Sequence, residues 1–413
     1  MKKTLIISYN FPPKSGISSR RWVKLAKELT RNGIECHVIT RDGGMEKGVN
    51  WSKDMVELDS SKIYRLKNFY PRFLEKPATS FFMRFIKFIG IKFFRLAFFK
   101  IDSAQFFHKV LIPKAKEIIN KGVKNVIVTG PPHSMLFHAS VLKSEHPLIN
   151  LILDYRDSWN DEASYEYKTS LKLFSTKIKS IRMEDQAISY ADKVFFVTDD
   201  MRKRASNIYK EKADKFQVLY NFFDLEDYGN IFSKEKPSNN IVYLGTLGSG
   251  RRKALQLIAQ AISELNLEKY PFTSKFHFFT NETISLFRNA SHQKIIKEYF
   301  IFHPVVDTSK VSDILSKFSF CLSINAPDYS HAFGTKIFDY LALKKQVFHI
   351  SNGGELYNIL KDGGHLVSPY DVEQIKLLLK KINTSESINN FNNNFSQFDV
   401  KNQVKKLINV LKV

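Results

Sequence analysis

Short apolar runs alternate with amphipathic helical patterns from the first residues of the chain. A run at 4–8 is followed by a helical pattern at 20–31 and by a second apolar run at 35–40. Within the helical pattern, Trp22, Leu25 and Leu29 recur at helical spacing, which predicts that this face is buried. The order strand, helix, strand predicts a parallel sheet, in which the loops after the strands lie together at one edge.

The same alternation continues along the chain and predicts an α/β fold with two domains. Further strands are expected at 126–129, 148–153, 193–198, 218–221, 241–244, 275–279, 299–302, 318–324 and 346–350. A polar, irregular stretch at 222–240 interrupts the pattern, and 413 residues are too many for one ordinary core. We therefore expect an N-terminal domain at 1–225, a linker at 226–240, a C-terminal domain at 241–395 and a last helix within 396–413.

Composition narrows the class of partner. The formal net charge of +22 attracts polyanions such as nucleic acid, anionic lipid headgroups or phosphate-bearing substrates. Cys36 and Cys321 form neither a disulfide framework nor a zinc site, so a reducing, cytoplasmic compartment is expected. The N-terminal apolar run stops at Pro12 without a small-residue cleavage site, which favours a strand over a signal peptide.

The segment 333–350 combines a small-residue turn, a short amphipathic helix and a strand. The turn places Gly334, Thr335 and Lys336 at a helix N-terminus, where N–H groups and the helix dipole favour an anion. Asp339 lies one turn further along, where a carboxylate can accept hydrogen bonds from a ribose diol. Phosphate and ribose together indicate a nucleotide. The alternative is an ordinary helix start with a charged solvent face.

Two glycine-containing loops follow predicted strands. The loop at 245–253 holds three glycines and then three positive charges, so its backbone and the guanidinium of Arg251 or Arg252 can reach a diphosphate. Its glycine spacing differs from that of the dinucleotide fingerprint. Gly16 lies in the loop after the first strand, where a side chain would hold a ligand away from the backbone. A flexible turn is the alternative for Gly16.

The segment 81–100 is rich in phenylalanine and carries only positive charges. On a helical wheel four of its five basic residues, namely Arg84, Lys87, Lys92 and Arg95, fall on one face and its phenylalanines occupy the rest. The charges interrupt every apolar run, which excludes a spanning helix and favours an interfacial helix on anionic lipid. A core helix with a basic solvent face is the alternative. The residues expected to face a membrane are Arg84, Phe85, Lys87, Phe88, Lys92, Phe93 and Arg95.

Polar residues also follow the strands of the N-terminal domain. His133 stands in a Gly-Pro-Pro-His-Ser turn after the 126–129 strand, at the sheet edge where open α/β folds carry catalytic groups. A solvated loop histidine is the alternative. Asp154 and Asp157 follow the next predicted strand and form an isolated acidic pair. The two aspartates at 199–200, after the 193–198 strand, form another. Neither pair makes a metal-ligand cluster.

Taken in order, these segments resemble the GT-B glycosyltransferase superfamily, specifically the retaining family-four type that builds bacterial surface polysaccharides. The resemblance covers nearly the whole length. It rests on Ile-Ile-Ser-Tyr-Asn-Phe-Pro-Pro with Gly16, Gly-Pro-Pro-His-Ser, Asp-Tyr-Arg-Asp-Ser-Trp, Tyr-Asn-Phe-Phe-Asp, Tyr-Leu-Gly-Thr-Leu with two arginines, and Gly-Thr-Lys-Ile-Phe-Asp-Tyr-Leu-Ala. It implies two Rossmann-like domains facing a central cleft, with the C-terminal helix packing back on the N-terminal domain.

The resemblance also implies a role for individual residues. The nucleoside diphosphate sugar is expected on the C-terminal domain and the acceptor on the N-terminal one. The implied donor-binding residues are Gly16, Arg251, Arg252, Val305, Gly334, Thr335, Lys336 and Asp339, with the backbone near Val305 on the base. The family carries two glutamates with seven residues between them, whereas this chain has His331 and Asp339, so the contact of His331 with the donor sugar stays open. His133 and Asp157 are the best placed catalytic candidates.

The expected reaction is sugar transfer from a nucleoside diphosphate sugar to an acceptor hydroxyl with retention. The leaving diphosphate is expected to be stabilised by Lys336, Arg251 and Arg252 without a metal or other cofactor. The basic field and the 81–100 helix fit a lipid-linked saccharide acceptor at the inner face of the cell membrane.

Two alternatives remain open, namely a sugar-nucleotide 2-epimerase of the same fold and a non-catalytic subunit of a polysaccharide assembly complex. Nucleic acid is not expected as a partner, because no nucleic-acid module matches.

Overall fold

The computed structural model describes residues 2–14, 16–43, 51–69, 80–98, 102–104, 106–161, 174–229, 236–248, 250–287, 292–384, 391–392 and 394–412. The chain divides into two compact units. Unit 1 comprises Met1–Tyr220 and Gln403–Val413, and unit 2 comprises Asn221–Asn402.

Unit 1 is built on a parallel sheet. Its strands are β1 (Lys3–Ser8), β2 (Glu35–Arg41), β3 (Ile63–Leu66), β4 (Asn125–Gly130), β5 (Asn150–Tyr155), β6 (Lys193–Phe196) and β7 (Phe216–Val218). The helices described in it are α1 (Ile17–Arg31), α2 (Phe81–Phe98), α3 (His108–Asn120), α4 (Ser134–Glu145), α5 (Phe174–Tyr190) and α6 (Asp199–Ile208). The strand order is β3-β2-β1-β4-β5-β6-β7, with parallel pairings throughout the described strands.

The centre of this sheet is covered on both faces. Every residue of β4 and β5 is buried, as expected for parallel strands with helices on either side. The face of α1 that carries Trp22, Leu25 and Leu29 is also buried, so this prediction from the helical spacing is confirmed. The covered faces leave the two ends of the sheet as the places where polar groups meet solvent.

Unit 2 repeats the arrangement. Its strands are β8 (Ser238–Leu244), β9 (Phe276–Phe279), β10 (Phe300–His303), β11 (Phe318–Ile324), β12 (Gln346–Ile350) and β13 (Leu366–Ser368). The helices described in it are α7 (Arg251–Leu267), α8 (Gln293–Tyr299), α9 (Val311–Ser316), α10 (Lys336–Ala342), α11 (Glu355–Asp362) and α12 (Val372–Thr384). The strand order is β10-β9-β8-β11-β12-β13, again parallel.

The end of the chain returns to unit 1. Helix α13 (Val400–Asn409) contains the point at which unit 2 ends, and the residues after it contact the amino-terminal ends of the unit 1 strands. The Asn150 Nδ2 group donates to the Val410 carbonyl at 2.8 Å, and the Lys2 ammonium donates to the Leu411 carbonyl at 3.0 Å. The expectation that the C-terminal segment packs on the N-terminal sheet is therefore confirmed.

The predicted alternation of strands and helices is confirmed, with differences at element ends. The strand expected at 218–221 lies at Phe216–Val218, because its partner β6 ends at Phe196, which pairs with Val218. The loop expected at 245–253 is shorter, since α7 begins at Arg251. The strands β3 and β13 were not predicted, because four and three residues are too few to show a period.

Within the described ranges, no helix combines the length and the apolar character needed to cross a bilayer.

Candidate functional site

In unit 2 the strand order reverses beside β8. The chain leaves β8 toward β9 and later returns to β11 on the other side, so a crevice opens at the carboxyl ends of β8 and β11. Leu244 and Ile324 are the last residues of these two strands. Open α/β sheets bind ligands at this position, so the residues that follow Leu244 and Ile324 form the candidate site of unit 2.

The guanidinium of Arg251 lies at this crevice. Its Nε group donates to the Ile324 carbonyl at 3.2 Å, and its Nη1 group donates to the Thr246 carbonyl at 3.2 Å. Both acceptors are neutral, and among the described residues no carboxylate forms an ion pair with Arg251. The half-buried guanidinium therefore keeps an uncompensated positive charge beside two strand ends, as diphosphate binding requires. Arg252 is exposed, so the geometry favours Arg251 of the two.

Gly250 sets the start of α7. Its φ of 85° is in the left-handed region, and a Cβ added there would lie 3.2 Å from the Ala326 Cβ and 3.6 Å from the Pro327 Cδ. Glycine is needed at this position for both reasons. The result is a close approach between the N-terminus of α7 and the segment that follows β11, which brings Arg251 to the Ile324 carbonyl.

Helix α10 is attached to the same edge of the sheet. The buried Tyr340 hydroxyl accepts a hydrogen bond from the Leu244 N–H at 3.1 Å. After β11, the Asn325 amide donates to the Ala332 carbonyl at 2.8 Å, and the Tyr370 hydroxyl donates to the Asn325 carbonyl at 2.6 Å. Burial raises the pKa of Tyr370 to about 12, so this hydroxyl keeps its proton at neutral pH. These contacts fix the turn before α10 at the crevice.

The predicted phosphate and ribose groups of α10 contact each other. The Lys336 ammonium lies 3.3 Å from the Asp339 carboxylate, and the Tyr228 hydroxyl donates to the other oxygen of that carboxylate at 2.6 Å. Tyr228 lies in the polar 222–240 stretch, where no pattern distinguishes one tyrosine, so the sequence did not single it out. The Asp339 carboxylate keeps lone pairs for a further donor in this arrangement.

The other predicted donor residues of unit 2 follow strands along the same carboxyl edge of the sheet. Gly334 is exposed, with no atom within 4 Å of an added Cβ, and the N-cap residue Thr335 makes no side-chain capping bond. Val305 follows β10 at the carboxyl edge and is 54% exposed. His331 is buried, and its ring centroid lies 6.0 Å from that of Tyr329. The turn at Gly334 is therefore open to a ligand, whereas the His331 imidazole is covered by protein.

In unit 1 the order reverses beside β1, which pairs with both β2 and β4. Gly16 lies in the loop after β1 and is the N-cap residue of α1, with a φ of 110° that favours glycine. No atom lies within 4 Å of a Cβ added at Gly16, so a side chain would not clash there. Glycine is favoured at this position because of the backbone conformation alone. His133 lies after β4, the neighbouring strand.

His133 and Asp157 are brought together, though not through the Asp157 carboxylate. The His133 Nε2 atom lies 3.1 Å from the Asp157 carbonyl oxygen, and a carbonyl only accepts, so Nε2 carries the proton. The imidazole is 1% exposed and stacks on the Trp159 indole, with centroids 5.3 Å apart and an interplanar angle of 11°. The Asp157 side chain is exposed. In the neutral ring, Nδ1 is therefore the atom that can accept a proton.

Sequence reasoning missed a buried network around Asp154. Arg21 donates to both carboxylate oxygens, at 2.8 and 3.2 Å, and the Trp22 indole and the Thr129 hydroxyl donate to Oδ2 at 2.9 and 2.8 Å. The same guanidinium donates to the Leu219 carbonyl. A carboxylate with this many donors ties α1, β4 and β5 together, so the acid that closes β5 is structural.

Helix α2 presents the predicted membrane-facing segment. Among its side chains that the structure describes, the large apolar ones that are exposed are Phe81, Phe82, Met83, Phe85, Ile86, Phe88, Ile89 and Phe93. Arg84 is exposed and Lys87 is half-buried, whereas the side chains of Lys92 and Arg95 lie outside the described residues. The helix therefore leaves an uncovered apolar surface with positive charge beside it, which is unusual for a water-facing helix.

The chain is similar to known proteins in its fold and not detectably in its sequence family. No protein-family model matches the chain. No curated protein matches it either. Among solved structures, it is similar to the apo structure of OtsA, with 12% identity over 100% of this chain and 99% of that chain and a TM-score of 0.64.

Two further structures extend the comparison. A glycosyltransferase from Rickettsia africae ESF-5 has 15% identity over 100% of this chain and 98% of that chain, with a TM-score of 0.58. A UDP-GlcNAc 2-epimerase from Neisseria meningitidis, bound to UDP-GlcNAc, has 14% identity over 100% and 99%, with a TM-score of 0.53. The predicted GT-B fold is confirmed by these full-length matches, and at such identities the matches establish the fold alone.

Proposed function

We propose that this protein is a retaining glycosyltransferase that moves a sugar from a nucleoside diphosphate sugar to an acceptor hydroxyl. The observation that carries the proposal is the Arg251 guanidinium, which lies at the strand-order reversal of unit 2 and forms no ion pair with a carboxylate of the described residues. A leaving diphosphate develops negative charge as the glycosidic bond breaks, and a fixed positive group at that point stabilises it. The fold shared with a glycosyltransferase and a nucleotide-sugar epimerase is consistent with this donor.

The donor is proposed to lie along the carboxyl edge of unit 2. Arg251 and the open turn at Gly334 hold the diphosphate, with Lys336 turning from Asp339 toward a phosphate oxygen. Asp339 then accepts from the ribose hydroxyls while Tyr228 still donates to its second oxygen. The backbone near Val305 is proposed to contact the base.

In the proposed reaction, the bond from the anomeric carbon to the diphosphate oxygen breaks and the bond to the acceptor oxygen forms on the same face. The acceptor proton passes to the departing phosphate oxygen, so no side-chain base is required. His133 is held by Trp159 and by the Asp157 carbonyl, and we assign it to acceptor positioning. In this proposal the donor binds unit 2 and the acceptor binds unit 1.

The acceptor is proposed to be a lipid-linked saccharide in cell-surface polysaccharide synthesis, at the cytoplasmic face of the membrane. The supporting observation is α2, whose uncovered phenylalanines and basic residues match an interfacial helix on anionic lipid. A net charge of +22 adds attraction to such a surface.

Thermal shift with a panel of UDP-, GDP- and dTDP-sugars tests the donor. A ligand that binds only the native state raises the melting temperature by mass action. We expect one nucleotide class to stabilise the protein, and we expect Lys336→Ala and Asp339→Ala to abolish that shift. An unchanged shift in both variants would remove the donor assignment.

Product analysis then separates the rival functions. Incubation of the stabilising donor with a lipid diphosphate-linked saccharide should give a glycoside with the anomeric configuration of the donor. Epimerised donor formed without acceptor would instead identify a 2-epimerase, the function of one structural neighbour. Donor binding without transfer or hydrolysis on any acceptor would indicate a non-catalytic subunit.

A further inference from the structure

A cavity lies in unit 1, between β5, α5 and α6. It has a volume of about 120 Å³. Aromatic rings of Tyr155, Trp159 and Tyr209 line it. Its lining also includes Ile181 and Ile208, which are both partly open to solvent. By the volume of liquid water, it holds about four water molecules or one edge of a sugar ring.

Three lining residues carry polar atoms that no group satisfies within the described part of the chain. These atoms are the Tyr155 hydroxyl, the Trp159 Nε1 group and the Asn160 Oδ1 oxygen. Tyr155 is fully buried and Trp159 is 1% exposed. A buried polar atom without a partner is destabilising, so native proteins rarely retain several of them around one cavity unless water or a ligand binds there.

Glu184 is a buried residue whose carboxyl group lines the cavity. Asn160 donates its amide to Glu184 at 2.8 Å and to the Ser180 carbonyl at 3.1 Å, and the Tyr209 hydroxyl also hydrogen-bonds Glu184. Burial raises the pKa of Glu184, which favours its neutral form. A second acid on the rim, Asp161, is within 3.7 Å of Arg204 and is compensated by it.

We propose that this cavity binds a neutral, hydroxyl-bearing group, namely one edge of a saccharide ring, between the Trp159 indole and the Glu184 carboxyl. A hydroxyl both donates and accepts, so a single ligand type satisfies the Tyr155 and Trp159 donors and the Asn160 acceptor at once. A flat indole face also suits the C–H face of a sugar. The Trp159 indole also stacks on the His133 ring. This contact links the cavity to the residue that we assign to acceptor positioning.

A cationic ligand suits the cavity less well. Its aromatic walls would accept an ammonium group, but a cation offers no acceptor to the Trp159 and Tyr155 donors. The cavity contains no residue of unit 2 and its proposed ligand is not a nucleotide, so the site is tested independently of the proposed transferase.

Indole NMR of the full chain labelled with ¹⁵N-tryptophan reads the site directly. The chain has three tryptophans. The Trp22 indole is hydrogen-bonded to Asp154, and the Trp51 ring lies against Arg20 and Lys24. Of the three, only Trp159 lines the cavity, so its indole signal should report binding. Without nucleotide, methyl glucoside or methyl galactoside should shift one indole signal saturably. That signal is identified by its loss in Trp159→Phe.

Three variants sharpen the result. Tyr155→Phe removes an unpartnered hydroxyl, so it should keep the fold and weaken glycoside binding roughly two- to tenfold. Ala205→Leu fills the cavity and should abolish the shift, whereas Ala205→Ser should keep it. If the cavity has only a structural role, Tyr155→Phe should not change the binding of any ligand tested.

Two outcomes overturn the proposal. If neither glycoside moves the Trp159 signal up to its solubility limit, the cavity holds only water. If choline chloride moves the signal and the glycosides do not, the site is cationic and the ligand class is wrong.

Discussion

At the scale of single residues, Glu184 makes stability depend on pH. Its pKa is raised in the folded state, mainly by burial, against hydrogen bonds from Asn160 and Tyr209 and the nearby charge of His133. The native state therefore holds a proton that the unfolded chain has released. Since the unfolded state binds fewer protons, the free energy of unfolding falls as pH rises from the ordinary glutamate pKa to the raised one.

We expect Glu184→Gln to remove this fall. At a pH above the raised pKa, each pKa unit of the increase lowers the free energy of unfolding by about 1.4 kcal/mol. Urea unfolding at a series of pH values above the ordinary glutamate pKa should show the variant gaining stability over the wild type as pH rises. Glu211→Gln, at an exposed site of the same unit, is the matched control and should stay parallel to the wild type. A wild-type curve parallel to that of Glu184→Gln contradicts this account.

Residue-level chemistry was only partly readable from the sequence. The proximity of Gly334, Lys336 and Asp339 was predictable because they lie within one short motif, and their role in donor binding stays a prediction. The bond between Arg21 and Asp154 joins residues 133 positions apart, and no local pattern reports such a pairing. The choice of Arg251 over Arg252 likewise required the position of the Ile324 carbonyl.

At the scale of elements, the N-terminus of α7 depends on Gly250. Gly250→Ala would force a side chain into the left-handed region and against Ala326, at a cost of about 1–2 kcal/mol. We expect a lower melting temperature and weaker donor binding, because Arg251 moves with the helix start. Gly248→Ala, where no atom lies within 4 Å of the added Cβ, is the control. Equal melting temperatures for the two variants would show that the conformation at Gly250 is not required.

Helix α2 gives the second prediction at this scale. Replacing Phe85, Phe88 and Phe93 with serine should reduce co-sedimentation with anionic vesicles at low salt, because exposed aromatic rings and basic charge bind the interface together. The matched control replaces three exposed apolar residues elsewhere, Val56, Leu148 and Leu267, with serine. Vesicle binding that is absent in the wild type, or reduced equally in both variants, rules out α2 as the lipid-binding element.

Elements with a clear period were predictable from the sequence, and short ones were not. The buried strands β11 and β12 lie where their apolar runs placed them. The start of α7 was misplaced because glycine usually indicates a loop, whereas Gly250 here is the residue that allows the helix to begin.

At the scale of the whole molecule, both units repeat one strand order, with the first strand of each unit beside the reversal. The alternation of strands and helices along the chain predicts two α/β domains, and the prediction of the GT-B fold came from the resemblance of the ordered motifs to that superfamily. The sugar, the base and the acceptor depend on a few side chains at the strand ends. Structural neighbours at 12% to 15% identity share the fold without specifying those side chains.

The central claim is that Arg251 binds the donor diphosphate, and a calorimetric titration with the stabilising nucleotide sugar tests it most directly. Arg251→Ala should weaken binding roughly 10- to 100-fold, because a charge-assisted hydrogen bond contributes about 1.5–3 kcal/mol. Lys253→Ala, two residues along on the exposed side of the same helix, should bind as the wild type does. Wild-type affinity in Arg251→Ala would contradict the account, as would equal losses in both variants.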